Sequence, residues 1–335
     1  MIKVSKSYHK ISFIVLSIVI SFFMMYIANL IIHNNFDDNI NYSLAYNSLQ
    51  DMVLSKAYLN YKIAVGGAEP ILFLYNYYFH TIVSYNISIL LLNIIFLVTF
   101  YKVLKKYYTQ NYQYIFIAMV LSNAYILQFL SDIHRLKFAF IFFFLYLLID
   151  NKYVKNFFLI LATITHFQIL IFVVYKILNF IINMKKRDNI FSIKNIIIYS
   201  LIILLVYYDP NDLLYLGYQA LISKIGFYYE QFKISYTTLF VLWFYILYLS
   251  YILCFRLEKT FRHLVYLVIF IFLISVVLNF YRLNLLLFGY IYIIELNRLF
   301  SGKRFAFLPV ISIFIYNFYL LSIYIYDSIL IKGIT

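Results

Sequence analysis

Cysteine, glycine, proline and charged residues are all scarce in this chain of 335 residues, which has one Cys, 7 Gly, 3 Pro and 12% charged residues. The single cysteine, Cys254, excludes an internal disulfide framework and any zinc site built on cysteines. The sequence also lacks Gly-rich phosphate loops, zinc-binding motifs and nucleophile elbows. Soluble types of ATPase, kinase, metalloprotease and esterase chemistry therefore have no support.

Apolar residues are abundant instead: 65% of the chain is hydrophobic, and the apolar residues fall into long runs separated by short polar stretches. A bilayer core of about 30 Å needs about 20 helical residues per crossing. The net charge of +14 comes from basic residues between these runs, where they act as topology determinants and do not indicate nucleic-acid binding. The sequence therefore predicts an all-α polytopic integral membrane protein with a single transmembrane domain over residues 1–335.

Twelve apolar segments are candidate membrane helices. They are 11–32, 70–84, 86–101, 112–131, 133–149, 155–165, 167–183, 195–208, 237–255, 264–280, 283–297 and 305–326. Segment 70–84 is short and must begin and end on one side if the basic cluster after residue 101 is cytoplasmic, so we expect a re-entrant or interfacial segment there. The remainder predicts about 11 transmembrane helices.

The basic residues set the orientation. A cytoplasmic N-terminus places most of the 27 basic residues in cytoplasmic loops and most of the 13 acidic residues outside. This arrangement requires residues 155–183 to form a helical hairpin that turns near His166, and a single span is the alternative. The segments 33–69 and 209–236 are then predicted to be periplasmic loops.

Ionisable residues inside or at the rim of apolar runs are costly and are therefore candidate functional groups. Five of them converge on the predicted outer side: Glu69, Asp132, Arg135, His166 and Arg282. The two guanidinium groups suit phosphate or diphosphate, and the imidazole suits proton transfer. Structural alternatives stay open: an ion pair between Asp132 and Arg135, a helix start at Glu69-Pro70, and a structural role for His166. No residue cluster predicts a metal site.

The order of several motifs resembles that of the EpsG-like family of Wzy-type polysaccharide repeat-unit polymerases. The resemblance covers roughly residues 36–300 and rests on the following features: Asp38 with Tyr42 and Tyr46, Glu69-Pro70 with Phe73, Arg135-Leu136-Lys137-Phe138-Ala139, Thr165-His166-Phe167, Lys224 to Tyr228, and Arg282-Leu283. This sequence departs from the family after the histidine, where the family commonly has a small residue and Ser and this chain has Phe167-Gln168.

The resemblance implies a GT-C-like helical bundle in the bacterial inner membrane. It implies a glycosyltransferase that joins undecaprenyl-diphosphate-linked oligosaccharide repeat units at the periplasmic face, for O-antigen, capsule or exopolysaccharide. It further implies catalytic roles for His166, Glu69 and Arg135. The substrate would be bound by Arg282, Asp38, Tyr42, Asp132, Lys224 and Tyr228. No cofactor is implied, and the implied partners are the lipid-linked oligosaccharide, membrane lipid and a chain-length regulator protein.

Three other functions remain open at the level of sequence. A membrane O-acyltransferase would place its functional histidine near a cytoplasmic cavity, where only His9 and His263 are predicted. A flippase for lipid-linked sugars usually shows paired halves, and this chain has no internal repeat. An O-antigen ligase is mechanistically close to a polymerase, and the sequence does not separate the two.

Overall fold

The computed structural model describes residues 15–23, 26, 38–50, 52–65, 70–108, 112–131, 134–166, 169, 172–173, 292–297, 299–300, 310–316 and 318–319. The chain divides into two compact units, Met1–Ile169 with Phe314–Thr335, and Leu170–Ile313. All regular secondary structure in these described residues is helical, and they contain no strand. The predicted all-α class is therefore confirmed for the described part of the chain.

Eight consecutive helices of the first unit carry the candidate site. They are α1 (Asp38–Asn47), α2 (Leu54–Val65), α3 (Pro70–Phe79), α4 (Tyr85–Tyr107), α5 (Tyr112–Ser122), α6 (Ala124–Ser131), α7 (His134–Leu148) and α8 (Lys152–Thr165). Residues 15–23 are also helical, within the predicted first span. The predicted segments at 195–208, 237–255 and 264–280, and the loop 209–236, lie outside the described residues.

Helix α4 is the one described helix that is long and apolar enough to cross a membrane. Its 23 residues span about 34 Å at 1.5 Å per residue, which exceeds a hydrocarbon core of about 30 Å. Helix α3 has 10 residues and reaches only about 15 Å, too short for a crossing. This length fits the re-entrant or interfacial segment expected at 70–84.

Helices α4 and α7 pack side by side and run in the same direction. Asn93 contacts Lys137 near their beginnings, Phe100 stacks on Phe144 further along with ring centroids 5.6 Å apart, and Lys106 reaches the carbonyl of Leu148 at their ends. Phe96 and Phe100 of α4 both contact Phe144 of α7, each with ring centroids 5.6 Å apart. The amino-terminal ends of α4 and α7 therefore lie together.

The predicted span 112–131 is divided into two helices, α5 and α6. The break falls at Asn123, whose side-chain oxygen accepts a hydrogen bond from the backbone N–H of Ile126 at 3.1 Å. Asparagine is a favoured N-cap because it satisfies a backbone donor that the first helical turn leaves open. The expectation of one continuous helix was therefore wrong at this residue.

Helix α8 begins and ends at residues with identifiable capping roles. The Asn151 side chain accepts hydrogen bonds from Tyr153 N at 3.0 Å and Val154 N at 3.3 Å, which fixes the start. The helix ends at Thr165, and His166 has an extended backbone with φ −156° and ψ 124°. The expected helix end near His166 is confirmed, whereas most of residues 167–183 lie outside the described part.

The predicted periplasmic loop 33–69 contains the two helices α1 and α2. They pack with α3 around a small apolar cluster made of Ala45, Leu49, Ala57, Tyr61 and Phe73. Two hydrogen bonds at the edge of the cluster also hold these helices together. The Asn76 amide donates to the Tyr61 hydroxyl at 3.1 Å, and the Tyr77 hydroxyl donates to the Met52 carbonyl at 3.1 Å. This packing sets helix α1 beside the start of α4.

Candidate functional site

Arg135 and Tyr42 meet at the amino-terminal end of α7. The Arg135 Nε donates a hydrogen bond of 2.6 Å to the Tyr42 hydroxyl, and its guanidinium carbon lies 5.9 Å from the centre of the same ring. Tyr42 is 3% exposed, so the ring that holds the guanidinium is itself fixed by packing. A charge-assisted hydrogen bond combined with an aromatic face orients the guanidinium plane.

Further aromatic rings and imidazoles continue from Tyr42. His134 lies between Tyr42 and Tyr85, with ring centroids 5.3 Å and 6.2 Å away. Tyr85 in turn contacts Tyr46 at 5.5 Å, and Tyr46 contacts His80 at 6.4 Å. We call these six residues the aromatic end: Tyr42, Tyr46, His80, Tyr85, His134 and Arg135.

Tyr46 ties the aromatic end to the turn that follows α3. Its hydroxyl donates a hydrogen bond of 2.8 Å to the carbonyl of Val83. Burial raises the pKa of Tyr46 above its ordinary value, with a smaller opposing effect from the Ser88 hydroxyl. The hydroxyl therefore stays neutral at physiological pH and holds the turn against helix α1.

A buried lysine lies one turn beyond His134 on α7. The Lys137 ammonium donates a hydrogen bond of 2.5 Å to the Asn93 side-chain oxygen, and the Asn93 amide donates to the Leu130 carbonyl at 3.0 Å. Lys137 and Asn93 are both fully buried. The pair joins α4, α6 and α7 directly below the aromatic end.

His166 lies at the same end of the helices as Arg135. Helices α7 and α8 pack together and are joined by only three residues, 149–151, so they run antiparallel. Each has nearly the same length, 15 and 14 residues, which brings the end of α8 level with the start of α7. The structure thus brings Tyr42 and Arg135 of the predicted site into contact and places His166 at the same end of the helices.

The opposite end of α4 and α7 carries exposed charges. The Lys106 ammonium lies 2.7 Å from the Asp150 carboxylate and also donates to the Leu148 carbonyl at 3.0 Å. The hydrogen bond and the charge of Lys106 hold the pKa of the Asp150 carboxyl below its ordinary value. Lys102, Lys105 and Lys152 lie near this end, which we call the basic end.

Most of the other predicted site residues lie outside the described part of the chain. Glu69, Asp132, Lys224, Tyr228 and Arg282 lie outside the described residues, as does the expected ion pair between Asp132 and Arg135. Asp38 is the first residue of α1, one turn before Tyr42. The described part of the predicted site therefore consists of Asp38, Tyr42, Arg135 and His166.

Four residues of this region were not singled out by sequence reasoning: His80, Tyr85, Asn93 and His134. Lys137 was named only as part of the motif that begins at Arg135. A signal was present for Lys137, because an ionisable residue inside an apolar helix is costly and marks a functional or structural site. Asn93 carried the same signal more weakly, as an amide in the middle of the apolar run of α4. His80 and His134 carried this signal as well, because they lie inside the apolar segments 70–84 and 133–149.

The described residues contain no group of three or more His, Cys, Asp or Glu side chains that could hold a metal ion. No family model, no curated protein and no solved structure matches the chain.

Proposed function

We propose that this protein is a polytopic glycosyltransferase of the bacterial inner membrane that polymerises oligosaccharide repeat units carried on undecaprenyl diphosphate. One observation carries the proposal: the hydrogen bond between Arg135 and Tyr42. These two residues are 93 positions apart in sequence, and both belong to the motifs that resemble the polymerase family. Their meeting at a buried aromatic end is what a shared substrate site requires.

A membrane location is supported by an exposed apolar stripe on α4. Ile87, Leu91 and Ile95 are 47%, 37% and 44% exposed, and their spacing of four residues places them on one face of the helix. The other face is buried against α7. A contiguous exposed apolar face is uncommon on a soluble protein and suits contact with lipid chains.

The proposed chemistry assigns Arg135 to the diphosphate of the donor. A guanidinium group presents a planar fork of N–H donors and stays charged at any physiological pH, so it can bind diphosphate oxygens and stabilise the charge of the leaving group. Tyr42 fixes the plane of this fork before the substrate arrives. A diphosphate leaving group also removes the need for a nucleotide site in the protein.

The sugars would lie beside the aromatic end. Tyr42 and Tyr46 are 3% and 2% exposed on helix α1, so their rings are covered and would support the site without stacking on the sugars. Their hydroxyls hold Arg135 and the turn after α3 in place. In this proposal helix α1 belongs to the substrate site on the periplasmic side.

The test is a gel profile of surface polysaccharide from cells in which the gene is deleted and then restored. Deletion is expected to leave glycan with a single repeat, because export and ligation continue without polymerisation. Restoration with Arg135→Lys keeps the charge but loses the planar fork, so chain extension should fall at least about tenfold, as expected for a lost bond to a charged group. Lys106→Ala is the matched control, since it removes a cation at the basic end.

Other profiles would overturn the proposal. Loss of all surface repeats would indicate a flippase or a ligase, and full-length chains without acyl groups would indicate an O-acyltransferase. Full extension by Arg135→Lys would exclude recognition of diphosphate through a bidentate guanidinium at this position.

A further inference from the structure

His80 has a hydrogen bond that defines its tautomer. It lies in the turn directly after α3, and its Nδ1 is 2.6 Å from the backbone carbonyl oxygen of Tyr77. A carbonyl oxygen only accepts hydrogen bonds, so Nδ1 must carry the hydrogen. In the neutral ring, Nε2 then carries the lone pair and is the basic nitrogen.

His80 belongs to the series of ring contacts that ends at His134, the sequence neighbour of Arg135. Its ring meets Tyr46 edge to face at 6.4 Å and lies 5.7 Å from the ring of Tyr77. From Tyr46 the ring contacts continue through Tyr85 to His134, next to Arg135. His80 is half-buried, and among the described residues no group forms a hydrogen bond with its Nε2.

We propose that Nε2 of His80 accepts the proton of the acceptor hydroxyl in the polymerisation reaction. This assignment rests on the proposed function and adds a catalytic residue to it. The acceptor oxygen forms a bond to the anomeric carbon of the donor while the bond from that carbon to the diphosphate oxygen breaks. The hydroxyl proton moves to Nε2, the bonding electrons leave with the diphosphate, and the imidazolium returns the proton to water.

The hydrogen bond to Tyr77 has a second effect that the test must separate from catalysis. It satisfies a carbonyl in the last turn of α3, so His80 also stabilises the end of that helix. Two substitutions separate the roles. The amide nitrogen of His80→Asn occupies the place of Nδ1 and keeps the bond to Tyr77, whereas that of His80→Gln occupies the place of Nε2 and loses it.

The experiment compares wild type, His80→Asn and His80→Gln as full-length protein in lipid vesicles with undecaprenyl-diphosphate-linked repeat units. Loss of a general base typically costs 10²–10⁴-fold, so we expect kcat to fall at least about 100-fold in both variants, with KM within about twofold of wild type. In nitrogen-15 NMR spectra of histidine-labelled protein, the signal that disappears in His80→Asn belongs to His80. We expect this signal to show the Nδ1–H tautomer.

The outcomes separate this inference from the function on which it rests. If wild type and His80→Asn make polymer at similar rates, the His80 assignment alone is overturned. If only His80→Gln loses polymerase activity, the assignment is also overturned, because the role of His80 would then be to cap the helix. An Nε2–H tautomer would also overturn it. A wild-type protein that makes no polymer would overturn the proposed function and, with it, the role of His80.

Discussion

The two ends of the helix pair α4 and α7 differ in how they hold a positive charge. At the aromatic end the guanidinium of Arg135 is bound to a tyrosine that is 3% exposed. At the basic end Lys106 pairs with Asp150, whose side chain is 91% exposed. Exposed ion pairs contribute little to stability because water screens them, whereas a buried hydrogen bond to a charge contributes more. The aromatic end is therefore where substitutions should have large effects.

The largest difference that we expect between the two ends is that they lie on opposite sides of the membrane. In a Cys254→Ser background, Ile82→Cys tests the turn at the aromatic end, where Ile82 is 74% exposed, and Tyr153→Cys tests the basic end, where Tyr153 is 83% exposed. A membrane-impermeant maleimide should label Ile82→Cys in intact cells and Tyr153→Cys only after permeabilisation, because basic loops stay in the cytoplasm. The measurement is a mass shift on a gel.

Equal labelling of both cysteines in intact cells would place the two ends on one side. The orientation derived from the basic residues would then be wrong, and the aromatic end would not face the periplasm. Labelling of Tyr153→Cys alone would show that the topology of this unit is the reverse of the predicted one.

Breaking the bond between Lys137 and Asn93 should have the largest effect on stability. Lys137→Met leaves the buried side-chain oxygen of Asn93 without this donor, and an unsatisfied buried polar group costs roughly 1–3 kcal/mol. A double-mutant cycle with Asn93→Leu, measured by thermal unfolding in detergent, should give a coupling energy of this size. Additive effects of the two substitutions would mean that the pair does not link α4 to α7.

Removing the Tyr42 hydroxyl should have a smaller effect on function. Tyr42→Phe keeps the ring beneath the guanidinium but removes the oxygen that accepts from Arg135. We expect the polymerisation rate to fall about tenfold, in line with about 1.5 kcal/mol for a hydrogen bond to a charged group. Initial rates in lipid vesicles measure this, and Tyr26→Phe, at a tyrosine that is 61% exposed, is the control. An unchanged rate would show that the aromatic face alone orients Arg135.

The sequence predicted helix ends well where a local signal marks them. Pro70 begins α3 because its fixed φ suits the first helical position. The end of α8 at Thr165 was expected for a different reason, namely the basic residues at both ends of 155–183. The break at Asn123 was missed because a single amide inside a long apolar run does not interrupt the hydropathy pattern of a continuous span. Its capping role depends on the local backbone, which hydropathy does not describe.

The site was less accessible to sequence reasoning than the helices. Periodicity does not relate Tyr42 to Arg135, because their contact depends on how α1, α2 and α3 pack beside α4. Tyr42 was singled out through the family resemblance alone, whereas Arg135 was also recognised as an ionisable residue at the rim of an apolar run. The Nδ1 bond of His80 depends on the turn geometry at the end of α3, which no sequence pattern indicates.

Removal of the exposed ion pair should have the smallest effect of all. Lys106 lowers the pKa of Asp150, so any stability from the pair is present above the ordinary pKa of the carboxyl and is lost as the pH falls through the lowered value. Because Asp150 is fully exposed, Asp150→Ala should leave the thermal midpoint unchanged within error at neutral pH, and any small difference between the two pH profiles should disappear as the pH falls through the lowered pKa of this carboxyl. A neutral-pH shift as large as that of Lys137→Met would contradict the comparison, because it would mean that a screened ion pair stabilises these helices as strongly as a buried bond.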